Sequence, residues 1–184
     1  MSNAPRTSLA PKLALLLALF AVPAQAALKV GDAAPDFTAA ATLGGKPFTF
    51  HLADALRHGP VVVYFYPAAF TEGCNIEAHN FAEAMPRYQA LDTSVIGVSV
   101  DGIDVLNRFS VSECQNRFAV ASDADRRIMQ SYDAAEKNGA YAERTSYLIG
   151  RNGKIAFVIS DPDPDWHVEE TLKAAQALTN SLAR

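Results

Sequence analysis

An α/β fold with a central mixed sheet flanked by helices is what three features of the sequence predict. Two short apolar runs rich in β-branched and aromatic residues, V-V-V-Y-F-Y from Val61 and V-I-G-V-S-V from Val95, read as strands covered on both faces. Segments with apolar residues at helical spacing lie between the strands, the rhythm that joins parallel neighbours. Late in the chain two strand patterns flank Asn152-Gly153, a pair that tolerates left-handed backbone and favours an antiparallel hairpin.

In chain order, residues 1–26 read first as an export signal. Arg6 and Lys12 supply basic residues, Leu13 to Val22 an apolar core, and Ala24-Gln25-Ala26 a small-x-small cleavage site. That core is too short to span a bilayer, which needs about 20 residues, so cleavage after Ala26 is expected over retention as an anchor. The 158 residues from 27 to 184 then form one domain with a full core, in an oxidising compartment, the periplasm. The strand at Val61–Tyr66 follows, ended by Pro67, and a helix from Cys74 to about Ala90 carries Ile76, Phe81 and Met85 toward one face. Next come a strand at Val95–Val100, a helix near Val105–Ser112, a strand at Phe118–Ala121 and a short helix near Arg126–Ala134. Glu136 to Tyr141 reads as an exposed loop. The hairpin strands are Ser146–Ile149 and Ile155–Ser160, D-P-D-P-D from Asp161 reads as a loop, and a last helix spans Glu169–Leu182. Together these fit an α/β sandwich.

Charge narrows the partners. The whole chain carries −4 at pH 7; the signal holds two basic residues and no acidic one, so the remainder carries −6 and no nucleic acid partner is expected. No cofactor or metal is expected either, because the four histidines and two cysteines show no C-x-x-C or H-x-x-x-H spacing.

The most informative stretch is P-A-A-F-T-E-G-C, Pro67 to Cys74, which sets a cysteine in the first turn of a helix directly after a buried strand. Unpaired backbone N–H groups and the positive end of the helix dipole lower a thiol's pKa there, below the roughly 8.5 of a free cysteine. Glu72 and Glu77 would work against a thiolate, so a cation must tip the balance. The bland alternative for Cys74, set below the reactive thiol, is a small buried hydrophobe or half of a structural disulfide.

P-x-x-x-T-x-x-C, filled by Pro67, Thr71 and Cys74, resembles the active-site motif of the peroxiredoxins, thiol peroxidases of thioredoxin-like fold. V-G-D-A-A-P-D-F at Val30 resembles that family's N-terminal segment. V-I-G-V-S-V-D at Val95 resembles its strand after the active-site helix, and R-T-S-Y-L-I-G at Arg144 the strand that supplies its arginine. Spacing and length are most similar to the atypical bacterioferritin-comigratory subgroup. The resemblance implies that the Cys74 thiolate attacks the O–O bond of a hydroperoxide and becomes a sulfenic acid. Thr71 would hydrogen-bond sulfur and peroxide, besides serving as a helix N-cap, and Pro67 would shield the pocket. Arg144 would aim its donors at the shifting charge, ahead of Arg126, Arg127 and Arg151.

In many members of that subgroup a second cysteine lies five residues after the first, but here that position is His79, read as a partly exposed helix residue. Cys114 stands where some members carry their resolving cysteine. The resemblance implies an intramolecular Cys74–Cys114 disulfide, the thiols lying too far apart to bond until local unwinding. A one-cysteine cycle is the alternative. Implied partners are hydrogen peroxide or organic hydroperoxides, and a thioredoxin- or glutaredoxin-like reductant or small thiol, acting on a monomer or homodimer. A thiol–disulfide exchanger, or a domain with one permanent disulfide and no peroxidase activity, is the competing class. Exchangers usually need C-x-x-C, which Thr71, Glu72 and Gly73 do not supply.

Overall fold

A computed structural model describes residues 28–182. The expected export signal, residues 1–26, lies outside the described residues. Seven strands and five helices alternate as β1 (Thr38–Leu43), β2 (Lys46–His51), α1 (Leu52–His58), β3 (Val61–Phe65), α2 (Glu72–Gln89), β4 (Ser94–Ser99), α3 (Ile103–Ser112), β5 (Ala119–Ser122), α4 (Arg127–Ser131), β6 (Thr145–Ile149), β7 (Ile155–Ser160) and α5 (Pro164–Leu182). The sheet order is β2-β1-β5-β4-β3-β6-β7. Only β3, β4 and β5 run parallel, and every other pairing is antiparallel. The mixed sheet flanked by helices is therefore as expected.

Alternation along β3 divides the core in two. Val62, Tyr64 and Tyr66 face Phe81 of α2, Phe109 of α3 and Leu172 of α5. Val61, Val63 and Phe65 face Leu52 and Leu56 of α1 and Ile128 and Met129 of α4. Every β3 residue is buried, so the strand cannot slip by one position without driving all its side chains to the wrong face. Tyr64 stacks on Phe81 with ring centroids 4.4 Å apart and thereby anchors α2 over the middle of the sheet. Burying a ring such as Phe81 contributes about 2–3 kcal/mol. Gly97 of β4 lies against the Tyr64 ring, where a Cβ would meet the ring at 2.6 Å.

Three parts of the architecture depart from the sequence-based expectation. The β1–β2 hairpin and α1 had no assigned pattern; Gly44 and Gly45, with φ of 57° and 73°, make the tight turn between the two strands. α5 begins at Pro164 rather than Glu169, because proline has no N–H to lose at a first helical position. Ile76, expected on the buried face of α2, is 42 % exposed, and Glu77 beside it is fully buried. Among the described residues no helix is long and apolar enough to cross a membrane.

Candidate active site

The site forms where β3 stops. Tyr66 still donates its N–H to the Val98 carbonyl at 3.2 Å, but Pro67 has no N–H and the ladder ends there. The chain then turns on a bond from the Ala69 N–H to Asp101 Oδ2, 2.7 Å, and on Phe70, whose φ of 65° is left-handed. Thr71 occupies the N-cap position of α2 in an extended conformation, yet its side chain makes no cap. Its hydroxyl donates instead to the Ala68 carbonyl at 3.0 Å, which leaves the oxygen free only as an acceptor. Cys74, third residue of α2, lies beneath this turn at 2 % exposure.

Arg144 reaches the same point from β6. Thr145 pairs with Phe65 across the antiparallel β3–β6 ladder, so the residue before Thr145 stands opposite the end of β3. Nη2 of Arg144 donates to Cys74 Sγ at 3.7 Å, while Nη1 donates to Glu77 Oε2. Cys74 and Glu77 are three residues apart on one helix face, the spacing that lets one guanidinium fork touch both. Gly73 leaves room for the fork: a Cβ there would lie 3.0 Å from Nη2. Arg126 donates to the Ala140 carbonyl, Arg127 to Asp125 and Arg151 to the Arg57 carbonyl, so the competing cations are all occupied elsewhere.

Glu77 is the residue that the sequence reading misjudged. Treated there as a charge opposing the thiolate, it is a fully buried carboxyl partnered by Arg144. Burial pushes its pKa up to about 8, outweighing the pull of the guanidinium. Burial acts on Arg144 in the opposite sense, but the neighbouring Glu77 and Cys74 more than compensate and its pKa is raised, so it stays charged. Behind Glu77 sits His167 of α5, fully buried, with Nδ1 2.8 Å from Ser146 Oγ and Nε2 2.8 Å from the Asp161 carbonyl. Neither His167 nor Ser146 was singled out in the sequence.

A cavity of about 310 Å³ opens beside Pro67 and Arg144 and is also lined by Ala142, Asp161 and Pro162. The segment that opens α5 thus borders the site. The aromatic side chains of Phe65, Phe70 and Trp166 do not line it. A larger cavity, about 610 Å³, lies against Phe37, Thr38 and Arg127, and neither cysteine lines either cavity. Among the described residues no cluster of three or more His, Cys, Asp or Glu is placed to hold a metal ion.

Cys114 follows α3 at zero exposure and shares the α2-side core with Cys74, and both thiols are free. Burial, and secondarily Glu113, pushes its thiol pKa well up. Its turn is held by its own N–H on the Phe109 carbonyl, 3.1 Å, and by the Arg117 N–H on its carbonyl, 2.9 Å. His79 of α2, 46 % exposed as expected of a surface helix position, contacts Glu113 Oε2 through Nε2 at 3.0 Å.

Comparison with known proteins gives a consistent answer. The chain is 31% identical over 140 residues to the peroxiredoxin Bcp of Escherichia coli, spanning 73% of this chain and 86% of that one. It is 31% identical over 161 residues to a chloroplastic 2-cysteine peroxiredoxin of Chattonella marina var. antiqua, spanning 84% and 82% of the two chains. Among solved structures, the peroxidoxin BcpB of Mycobacterium tuberculosis superimposes with a TM-score of 0.75 at 27% identity, covering 82% of this chain and 98% of its own. Residues 30–158 match the AhpC/TSA family along a stretch that contains Pro67, Thr71, Cys74, Glu77 and Arg144, and the chain belongs to that family of thiol-dependent peroxidases, the peroxiredoxins.

Proposed function

We propose that peroxide reduction here runs through Cys74 and is resolved by Cys114. The observation that carries this reading is the forked Arg144, one arm on Cys74 Sγ at 3.7 Å and the other on Glu77. The Cys74 thiolate attacks one oxygen of ROOH, the O–O bond breaks, and the leaving alkoxide takes a proton to depart as alcohol, or water when R is hydrogen. Sulfur is left as sulfenic acid. Arg144 stabilises negative charge as it passes from sulfur to the leaving oxygen. The Thr71 oxygen, its own proton committed to Ala68, accepts from the peroxide O–H and orients it. Pro67 keeps water from the turn.

Cys114 thiol then condenses with the sulfenic acid, giving the Cys74–Cys114 disulfide and water. Both segments must open, since Cys74 and Cys114 are both buried. A dithiol reductant of thioredoxin or glutaredoxin type, or a small thiol, returns both cysteines to thiols. The burial of Cys114 favours the alternative in which an external thiol meets the sulfenic acid directly, a one-cysteine cycle. Export after Ala26 to the periplasm completes the reading, and N-terminal sequencing of protein from a periplasmic extract checks it.

Intact mass and peptide mapping after one equivalent of hydrogen peroxide test the chemistry in wild type, Cys74→Ser and Cys114→Ser. The expected result is rapid loss of two hydrogens in wild type, a trappable sulfenic acid on Cys74 in Cys114→Ser, and no reaction in Cys74→Ser. Rapid sulfenic acid without a bridge in wild type would establish the one-cysteine cycle. Slow reaction in all three proteins would remove Cys74 from the mechanism.

A further inference from the structure

Arg144 is held by Glu77, and something must hold Glu77. Its Oε2 accepts from Arg144, but Oε1 is buried without a hydrogen-bond partner and faces Nδ1 of His167 at 3.9 Å. The partners of the His167 ring settle its tautomer. A backbone carbonyl only accepts, so the 2.8 Å contact with Asp161 O puts a proton on Nε2. In the neutral ring Nδ1 is then an acceptor, and the Ser146 hydroxyl donates to it at 2.8 Å.

We propose that His167 is a positioning residue for the peroxidase reaction: with Ser146 it forms a fixed, buried backstop for Glu77 Oε1, and Glu77 in turn presents Arg144 to Cys74. The proposal rests on the roles of Cys74 and Arg144 given above. It also assigns a proton. Nδ1, its one lone pair taken by the Ser146 hydroxyl, offers no hydrogen to Oε1 across 3.9 Å, so nothing on this side of Glu77 supports a negative charge and the carboxyl keeps its proton while Oε2 accepts from Arg144. The carboxyl is then neutral, and the full guanidinium charge is available to the thiolate and the departing oxygen. If Glu77 ionised, Arg144 would be neutralised from behind and drawn toward the carboxylate. Burial, which pushes Glu77 up and His167 down, favours the same proton placement. The charged and titratable groups around this pair are Arg144 ahead of β6, Cys74 on α2, Tyr64 on β3, and Asp161 and Asp163 before α5.

The pair is also tied to the wall of the cavity beside Pro67 and Arg144. Asp161, whose carbonyl anchors the ring, lines that cavity, and its N–H returns to the Arg144 carbonyl at 3.3 Å. Ring, carboxyl, guanidinium and cavity wall therefore form one closed circuit of contacts.

The test is the second-order rate of Cys74 oxidation by hydrogen peroxide from pH 5 to 9, by rapid quench and intact mass, in wild type, His167→Gln, Ser146→Ala, Arg144→Gln and the His167→Gln/Arg144→Gln double variant. At pH 7 the expected loss is about tenfold for His167→Gln and about threefold for Ser146→Ala, with the pH profile displaced in both. In the Arg144→Gln background, His167→Gln should change the rate less than twofold, because it acts through the missing arginine. An unchanged rate and pH profile in His167→Gln would overturn the proposal, as would an equal loss with and without Arg144, which marks general structural damage. If Arg144→Gln alone reacts like wild type, the underlying reading fails first and this one falls with it. Should His167→Gln not fold, Ser146→Ala in the two backgrounds decides by the same comparison.

Discussion

Gly73 sits between Cys74 and Arg144, the two groups to which the chemistry is assigned in the proposal above, without contributing a side chain. A methyl there would gain about 0.5–1 kcal/mol of helix propensity. It would also stand 3.0 Å from Arg144 Nη2, closer than an ordinary carbon contact, and the guanidinium, tied to Glu77, has one direction in which to yield: away from sulfur. Gly73→Ala is therefore expected to keep or slightly raise the thermal midpoint while slowing peroxide reduction several-fold. Calorimetry and rapid-quench kinetics on the same preparation check this, and a parallel loss of both would refute it. At this scale the grouping of Pro67, Thr71, Cys74 and Arg144 was legible because two short segments, P-A-A-F-T-E-G-C and R-T-S-Y-L-I-G, carry them. Glu77 and His167 were not. A charged residue in a helix reads as solvated unless the fold is known, and the partners that reverse that reading come from residues 67 and 90 positions away in sequence.

Among the elements, the site depends on how α2 is seated on the sheet. Phe81 of α2 stacks on Tyr64, and Tyr64 can lie flat only because Gly97 of β4, its register partner, has no side chain. Gly97→Ala forces that ring outward against α2. The expected cost is about 1–3 kcal/mol of unfolding free energy from overpacking, together with slower peroxide reduction as Cys74 shifts with its helix. Urea denaturation and the peroxide rate measure the two effects, and full stability in the variant would contradict the packing argument. The strands and helices from Val61 onward were readable because their apolar runs are long or strictly periodic. β1 escaped because T-A-A-A-T-L is alanine-rich and lacks β-branched alternation, and β2 because nearly all of it faces solvent. The start of α5 escaped because proline was taken as a stop where it serves as a first residue.

For the whole molecule, the buried pair behind the site sets how stability depends on pH. Glu77 has a folded value of about 8 against an ordinary 4.5, so the folded state holds its proton longer. Its contribution is complete below pH 4.5 and is lost as pH rises toward 8, with a slope of at most about 1.4 kcal/mol per pH unit. His167 is shifted the other way, chiefly by burial, and its contribution is lost as pH falls below its ordinary 6.5. The two slopes oppose each other below pH 6.5 and leave Glu77 unopposed between 6.5 and 8. Glu77→Gln should accordingly flatten the loss of stability over that interval, read as urea midpoints at pH 6.5, 7.2 and 8, and an unchanged slope would place the titrating group elsewhere.

Both thiols are bordered by residues forced into left-handed backbone without being glycine: Phe70, φ 65°, four positions before Cys74, and Gln115 and Asn116, φ 51° and 59°, directly after Cys114. Such residues cost about 1–2 kcal/mol each, less for asparagine. In the two-cysteine cycle proposed above, these are the two turns that open for the disulfide to form, and the chain is wound at each like a latch under tension. Each turn that relaxes returns its strain, and 1–2 kcal/mol enlarges the open population about 5- to 30-fold. In that proposed cycle the springs that set the tempo lie in the turns beside the cysteines, outside the place where the peroxide reacts.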